Sequence, residues 1–210
     1  MSGPRAVHLI VSLLAASLAL SCGAAPPPVY DTDGHELSAD ADYYVLPATR
    51  GRGGGLTMAR DVLSACPLYV AQEADERRKG FPVRFTPQLG GGAGDRTVRV
   101  STDVRVHFAA ATTCVQTTEW HVPAGSDEQP PPRRHVVVTG PVRAPSTSGR
   151  EKVFRVENYG GAEAHTYKLV SCRDKCQDLG VLGGAWFGAS DRAHVVVFKK
   201  APSAFGKLKA

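Results

Sequence analysis

The sequence predicts an all-β protein, on three observations. Short runs of β-branched and aromatic residues recur along the chain, apolar and polar residues alternate within the clearest of them, and no stretch of useful length carries the period of an amphipathic helix. The 22 glycines and 15 prolines punctuate these runs, as they do in loop-rich barrels and sandwiches. Periodicity leaves the choice between barrel and sandwich open.

From the amino terminus, residues 1–24 read as a secretory leader. A basic start at Arg5 is followed by the apolar run 6–20 and by small residues at 21–25, with a cut expected near Ala24. The run is shorter than the roughly 20 apolar residues of a spanning helix. A lipid anchor through Cys22 is disfavoured by Ala19, which occupies the position where that signal carries leucine. The leader holds one of the 25 basic residues and none of the 20 acidic ones, leaving 24 against 20, a net charge of +4. Residues 25–210 suit one domain with a sizeable core. Their modest basic excess favours steering toward acidic partners and does not by itself indicate nucleic acid. The clusters Arg77, Arg78, Lys79 and Arg133, Arg134, His135 lack interleaved aromatics and read as solvated loops.

Residues 29–45, VYDTDGHELSADADYYV, read as loop, turn and strand, because Asp31 to Gly34 break the chain and the apolar run 43–46 restarts it. Asp31, Asp33 and Gly34 resemble a calcium loop only superficially. Such a loop needs glycine at its sixth position and glutamate at its twelfth, which this register lacks. The aspartates are expected to form turns, with carboxylates accepting from nearby backbone N–H groups.

Further on, Val98, Val100, Val104, Val106 and Phe108 alternate with Arg99, Arg105 and His107, and short β-type runs follow at 136–138, 153–156, 167–170 and 195–198. Trp120 and Trp186 lie in such contexts and are expected to anchor the core or its shell rather than to stack on a ligand. Four cysteines remain after the leader, Cys66, Cys114, Cys172 and Cys176. An even number in a secreted chain implies two disulfides, with three pairings open. A zinc site on Cys172, Cys176 and a histidine is the rival, weakened by secretion and by the lack of a second close cysteine pair.

Nothing in the residues argues for catalysis. His107, His121, His135, His165 and His194 are scattered over β segments and stand in no GxSxG or HExxH motif. The glycines Gly90, Gly91, Gly92 and Gly94 lack the GK[ST] that a phosphate loop needs. The single asparagine, Asn158, is followed by Tyr159 and Gly160, so no N-glycan is expected.

The segment 29–45 resembles the opening signature of the plant Kunitz (soybean-type) inhibitors: Val29, Asp31, Asp33, Gly34, His35, Leu37, Tyr43 and Val45 occupy its fixed positions. GGGLTMA (53–59), GFPVRFTP (80–87), STDVR (101–105), TEWHV (118–122), SGRE (148–151), CQDLG (176–180), GGAWF (183–187) and HVVVFKKAP (194–202) are similar to the cereal branch of that family, which inhibits α-amylase and subtilisin. The likeness runs from about residue 26 to residue 201. It implies a β-trefoil of twelve strands in three units, although no threefold period is visible in the letters. It also implies the disulfides Cys66–Cys114 and Cys172–Cys176, and a secreted, monomeric, non-enzymatic seed inhibitor that binds neither nucleic acid nor membrane. Storage and carbohydrate-binding trefoils are the alternatives.

Two sites follow from the resemblance. The family carries its protease-binding loop where this chain has Gln88, Leu89, Gly90, Gly91, Gly92 and Ala93. A trypsin-directed loop needs Arg or Lys at its primary position; this one has neither, so subtilisin-type proteases are the expected target. The α-amylase contact positions of the branch align with Ser101, Arg134, Tyr159, Lys168, Asp178 and Asp191. The resemblance further implies that Asp178 and Asp191 help hold a hydrated calcium ion against the amylase cleft, the chain having no cofactor of its own. Two departures from the branch stand nearby: a shortened segment between Val181 and Gly183, and Ala193 in place of a tyrosine.

Overall fold

The computed structural model describes residues 25–60, 66, 68–88, 94–123, 135–142, 149–173 and 175–203. The leader lies outside this set. Among the described residues there are twelve strands: β1 Tyr43–Pro47, β2 Leu56–Arg60, β3 Leu68–Gln72, β4 Val83–Pro87, β5 Val104–Phe108, β6 Trp120–His121, β7 Val138–Thr139, β8 Phe154–Asn158, β9 Tyr167–Ser171, β10 Gln177–Val181, β11 Phe187–Ala189 and β12 Val196–Lys200. The only helical pieces among these residues are two three-residue 3₁₀ turns, Ala162–Ala164 and Gly183–Ala185.

Six strands close into a ring. Strand β1 pairs with β4, β4 with β5, β5 with β8, β8 with β9, β9 with β12, and β12 returns to β1, every pair antiparallel. Closure removes the sheet edges that an open sheet would expose. The other six strands form the hairpins β2–β3, β6–β7 and β10–β11. Tyr69 of β3 pairs with Val138 of β7, while single bridges join Ala71 to Trp186 and Val136 to Gly188. These links bring the hairpins together around Tyr69, Val136 and Val138, with Leu182 and Trp186 packed against them. Three four-strand units, beginning at β1, β5 and β9, thus repeat around one axis, and the fold is a β-trefoil.

Alternation along the ring strands makes the core. Tyr43, Val45, Val83, Phe85, Val104, Val106, Phe108, Phe154, Val156, Tyr167, Leu169, Val196 and Phe198 are buried and point inward. Fully burying such a side chain contributes about 1.5–3 kcal/mol. The residues between them, among them Arg84, Arg105, Arg155 and Lys168, stand on the outside. Trp120, fully buried, packs against Phe108, Phe154 and Phe187 and joins the hairpin layer to the barrel. Trp186 meets Tyr69 edge-on in the smaller cluster, so both tryptophans are packing residues, as expected.

The opening signature is part of this architecture. Val29 and Leu37 are fully buried and Tyr43 nearly so. The Asp31 carboxylate accepts from the N–H groups of Asp33 and His35. Tyr43 and Tyr167 accept, at their phenol oxygens, from the N–H groups of Ser38 and Tyr30. The expected strand around Val98 and Val100 is instead a set of single bridges, Pro28 with Arg99 and Ser38 with Thr97. The turn at 31–34 separates the two bridges along the opening segment.

Both implied disulfides are present, Cys66–Cys114 and Cys172–Cys176. The first spans 48 residues and ties the start of β3 to the β5–β6 connection. The second spans 4 residues and closes the β9–β10 turn. Loop-closure entropy makes them worth about 4 and about 2 kcal/mol respectively in the chain-entropy model. The zinc alternative falls with this pairing, because both cysteine sulfurs it would use are bonded to each other.

Candidate inhibitory surfaces

The outward positions of β8 and β9 begin one candidate surface. Glu157 lies directly opposite Lys168 in the antiparallel register. Lys168 sits between the inward-facing Tyr167 and Leu169, so its ammonium is on the outer face. Its Nζ lies 2.7 Å from Asp178 Oδ1 and 3.0 Å from Oδ2, linking β9 to β10. Both side chains are about one-third exposed or less, 27% and 30%, so water screens this pair less than an ordinary surface pair. The carbonyl of Asp178 accepts from Ser190 N–H at 2.9 Å, which places the exposed Asp191 beside it.

Ser101 joins the same surface from the β4–β5 connection. Its N–H donates to Val156 O, and its Oγ donates to Glu157 Oε2 at 2.5 Å. Ser101 adopts a positive φ of 60°, a left-handed conformation that non-glycine residues enter at some cost. Tyr159, 47% exposed, stands just past the end of β8. Its N–H donates to Thr166 O and its carbonyl accepts from Thr166 Oγ1, which closes the turn between β8 and β9.

The structure therefore brings Ser101, Lys168 and Asp178 onto one surface, Ser101 bonded to Glu157, Glu157 opposite Lys168 in the strand register, and Lys168 paired with Asp178, with Tyr159 and Asp191 at its flanks. Arg134 lies outside the described residues. Glu157, which the sequence reading did not select, is the residue that joins Ser101 to the Lys168 register. The alternating pattern of β8 marks it as outward-facing, but only the strand pairing shows what it meets. The free surface does not fit a calcium ion: both Asp178 oxygens face the Lys168 ammonium, and no group of three His, Cys, Asp or Glu among the described residues could hold a metal.

The second candidate surface is the connection between β4 and β5. Of its assigned residues Gln88 is described, and 89–93 lie outside the described residues. The shoulders of the connection are anchored. On one side, Gln88 N–H donates to Asp103 O at 2.8 Å, just beyond the Pro87–Val104 pair. On the other, Asp95 caps Thr97 N–H and pairs with Arg99, Arg96 pairs with Asp40, and Ala39 N–H donates to Arg96 O.

Asp103 is held in turn by two arginines. Arg155 Nε reaches Oδ1 at 2.6 Å and Arg150 Nη2 reaches Oδ2 at 3.0 Å. Arg150 Nε also donates to the carbonyl of Cys172 at 3.1 Å, next to the short disulfide. Burial acts to raise the Asp103 pKa, but hydrogen bonds from Arg155 and Arg150 leave it below the ordinary value.

The described histidines lie in separate environments. His121 and His194 are pushed down to about 4, chiefly by burial and further by Lys152 and Arg52 respectively. His107 is lowered by burial and by Arg84. His135 and His165 were expected on strands; both occupy left-handed turn positions, with φ of 72° and 46°. The basic run Arg77, Arg78, Lys79 is exposed, and Arg77 and Arg78 pair with Asp75 and Glu73.

Comparison with known proteins agrees with this architecture. A family model for the legume-type Kunitz trypsin and protease inhibitors matches residues 29–200. The chain is 66% identical to an α-amylase/subtilisin inhibitor of Oryza sativa subsp. japonica over 197 residues, covering 92% of this chain and 93% of that protein. It is 61% identical to an endogenous α-amylase/subtilisin inhibitor of Triticum aestivum, covering 85% of this chain and 99% of that one. The solved structure of the rice bifunctional α-amylase/subtilisin inhibitor superposes with a TM-score of 0.69, covering 84% of this chain and all of that one.

Proposed function

The chain belongs to the legume-type Kunitz family of trypsin and protease inhibitors, and from that premise we propose that it is a secreted, monomeric plant inhibitor of α-amylase and of subtilisin-type proteases. The observation that carries this reading is 66% identity to the rice α-amylase/subtilisin inhibitor over nearly the full length of both chains. The protein is an inhibitor and not an enzyme. Two paired disulfides support an oxidising, extracellular compartment.

Against α-amylase, the surface around Lys168 presents a cation toward a cleft whose catalytic groups are carboxylates. Asp178 holds that cation in place before binding, so little side-chain entropy remains to be lost in the complex. Ser101, Tyr159, Asp191 and Arg134 complete the contact, with Glu157 fixing Ser101. The calcium ion implied by the branch has no part in organising the free surface. Against subtilisin, residues 88–93 offer an extended backbone to the protease cleft, and the anchored shoulders limit its freedom. The absence of Arg and Lys in that stretch directs it away from trypsin.

Titration of the mature protein into a cereal α-amylase, subtilisin and trypsin tests the proposal. Inhibition of the first two and not of the third is the expected result. Inhibition of neither α-amylase nor subtilisin would replace the proposal with a storage role.

A further inference from the structure

A cleft of about 500 Å³ opens between the β1–β2 connection and the segment that leads into β12. Arg52 and Arg192 line it, and no carboxylate does. Eight other arginines, Arg77, Arg78, Arg84, Arg96, Arg99, Arg105, Arg150 and Arg155, each lie within 4 Å of an aspartate or glutamate, whereas the exposed Arg50 and Arg60, which do not line the cleft, have no such pair among the described residues. Arg52 and Arg192, both exposed, have no such partner among the described residues. The nearby acidic groups are placed otherwise. Glu76 accepts from Gly51 N–H at 2.8 Å, and Asp191 is an exposed neighbour of Arg192 that does not line the cleft.

The two walls are fixed by the backbone. Gln72 Nε2 donates to the carbonyls of Arg52 and Gly54, holding the β1–β2 connection against β3. On the other side, Gly180 of β10 lets the Arg192 turn lie directly on the strand, since a Cβ there would stand 2.2 Å from Arg192 O. His194 N–H donates to Leu179 O and pins the next residues. Pro47, Val181 and Ala193 add an apolar side, Val181 being 37% exposed. The charge of Arg52 already reaches inside the cleft, where, after burial, it is the cause that keeps His194 neutral. A concave site lined by two cations and an apolar wall concentrates anions of matching shape.

We propose that this cleft, between Arg52 and Arg192, binds a small organic carboxylate with an apolar body. The carboxylate pairs with the two guanidinium groups and the body lies against Pro47, Val181 and Ala193. This site borders the amylase surface at Asp191, but the proposal does not rest on the inhibitory reading.

Benzoate is the probe, and benzamide, similar in shape and without charge, is its control. The mature protein is titrated with each near neutral pH and low ionic strength, followed by calorimetry and by the amide and His194 ring resonances. One saturable benzoate site is expected, with shifts confined to 49–52 and 192–195 and no saturation with benzamide. Arg52→Gln and Arg192→Gln are expected to weaken benzoate about tenfold each, the effect of losing a charge-assisted hydrogen bond. The double variant abolishes the site, Arg77→Gln leaves it intact, and thermal midpoints stay unchanged because both arginines are exposed. Equal binding of benzamide, shifts spread over the basic surface that survive in the double variant, or no saturable benzoate shift would each overturn the proposal.

Discussion

The two proposed inhibitory surfaces are built by opposite means. The Lys168 surface sits on paired strands, so register alone sets the spacing of Glu157, Lys168 and Asp178, and an ion pair fixes the side chains. The proposed protease segment lies in the connection from β4 to β5, whose described shoulders are held by Asp103, Arg150, Asp95 and Arg96. A strand-borne site is rigid because the fold is stable. A loop-borne site needs restraints of its own, and those can be removed without touching the barrel.

Acid produces the largest effect and acts through the buried His121 and the half-buried His194. His121 and His194 titrate near 6.5 when unfolded and at about 4 when folded. Between those values the unfolded chain binds more protons, so the stability these residues contribute is complete above about pH 6.5 and is lost as pH falls toward 4. Each contributes a slope of up to about 1.4 kcal/mol per pH unit. The Asp103 carboxyl is depressed, so its grip is retained through this window and weakens only below the ordinary aspartate range. Thermal midpoints should therefore fall steadily from pH 6.5 to 4, while the protein that remains folded still inhibits subtilisin. A flat stability profile over that range would show that the two histidines are not buried and neutral.

The next effect separates the surfaces. Lys168→Leu removes the cation offered to the amylase and leaves Asp178 without its partner, so α-amylase inhibition is expected to weaken about a hundredfold, in the range measured for close charge pairs at interfaces. Asp178→Ala frees Lys168 and costs about tenfold, and the double variant costs less than the product of the two because they act as a pair. Inhibition constants measured in parallel should leave subtilisin unaffected, with Arg77→Ala on its exposed turn unchanged for both enzymes. A loss of subtilisin inhibition in Lys168→Leu would merge the two surfaces into one.

Arg150→Ala makes the converse cut. It removes one of the two grips on Asp103 and a bond to Cys172 O, and should raise the subtilisin inhibition constant about tenfold, the effect of a lost charge-assisted hydrogen bond. Amylase inhibition should hold. Loosening should also let subtilisin cleave the segment faster, which mass spectrometry of the complex would record, whereas a variant that was merely less stable would lose both inhibitions. Arg150→Lys, able to reach Asp103 but not to span Asp103 and Cys172 O together, should fall between.

Legibility in the sequence follows the same division. Alternation at 104–108 located a ring strand, because inward and outward residues differ in polarity there. The threefold repeat was invisible since the units share geometry and not letters: the first hairpin has strands of 5 residues, Leu56–Arg60 and Leu68–Gln72, and the second strands of 2, Trp120–His121 and Val138–Thr139. The trefoil and the disulfide pairing were available only through the family resemblance. Lys168 and Asp178 could be aligned with the family, but their bond could not be read, nor could Glu157, because cross-strand partners depend on register. His121 and His194 look like scattered polar residues in the sequence, since the burial of His121 and the half-burial of His194 arise from chain packing and not from their neighbours in sequence.

The last expected effect, comparable in size to that of Arg150→Ala but opposite in sign, concerns the loop itself. Gly90, Gly91, Gly92 and Gly94 fall in or beside this stretch, and ordering a glycine costs about 0.4–1 kcal/mol more than ordering an alanine. Replacing Gly91 and Gly92 together by alanine should thus tighten subtilisin binding by about 0.8–2 kcal/mol, roughly four- to thirtyfold. The anchored shoulders support this direction, because a segment already held at Gln88 and at Asp95–Thr97 gains from stiffening between them. The amylase constant is the internal control and should not move, since none of its contacts lies between residues 88 and 95. Weaker subtilisin binding would show that one of the two glycines needs a positive φ in the complex. An unchanged constant would place the protease contact elsewhere on the protein.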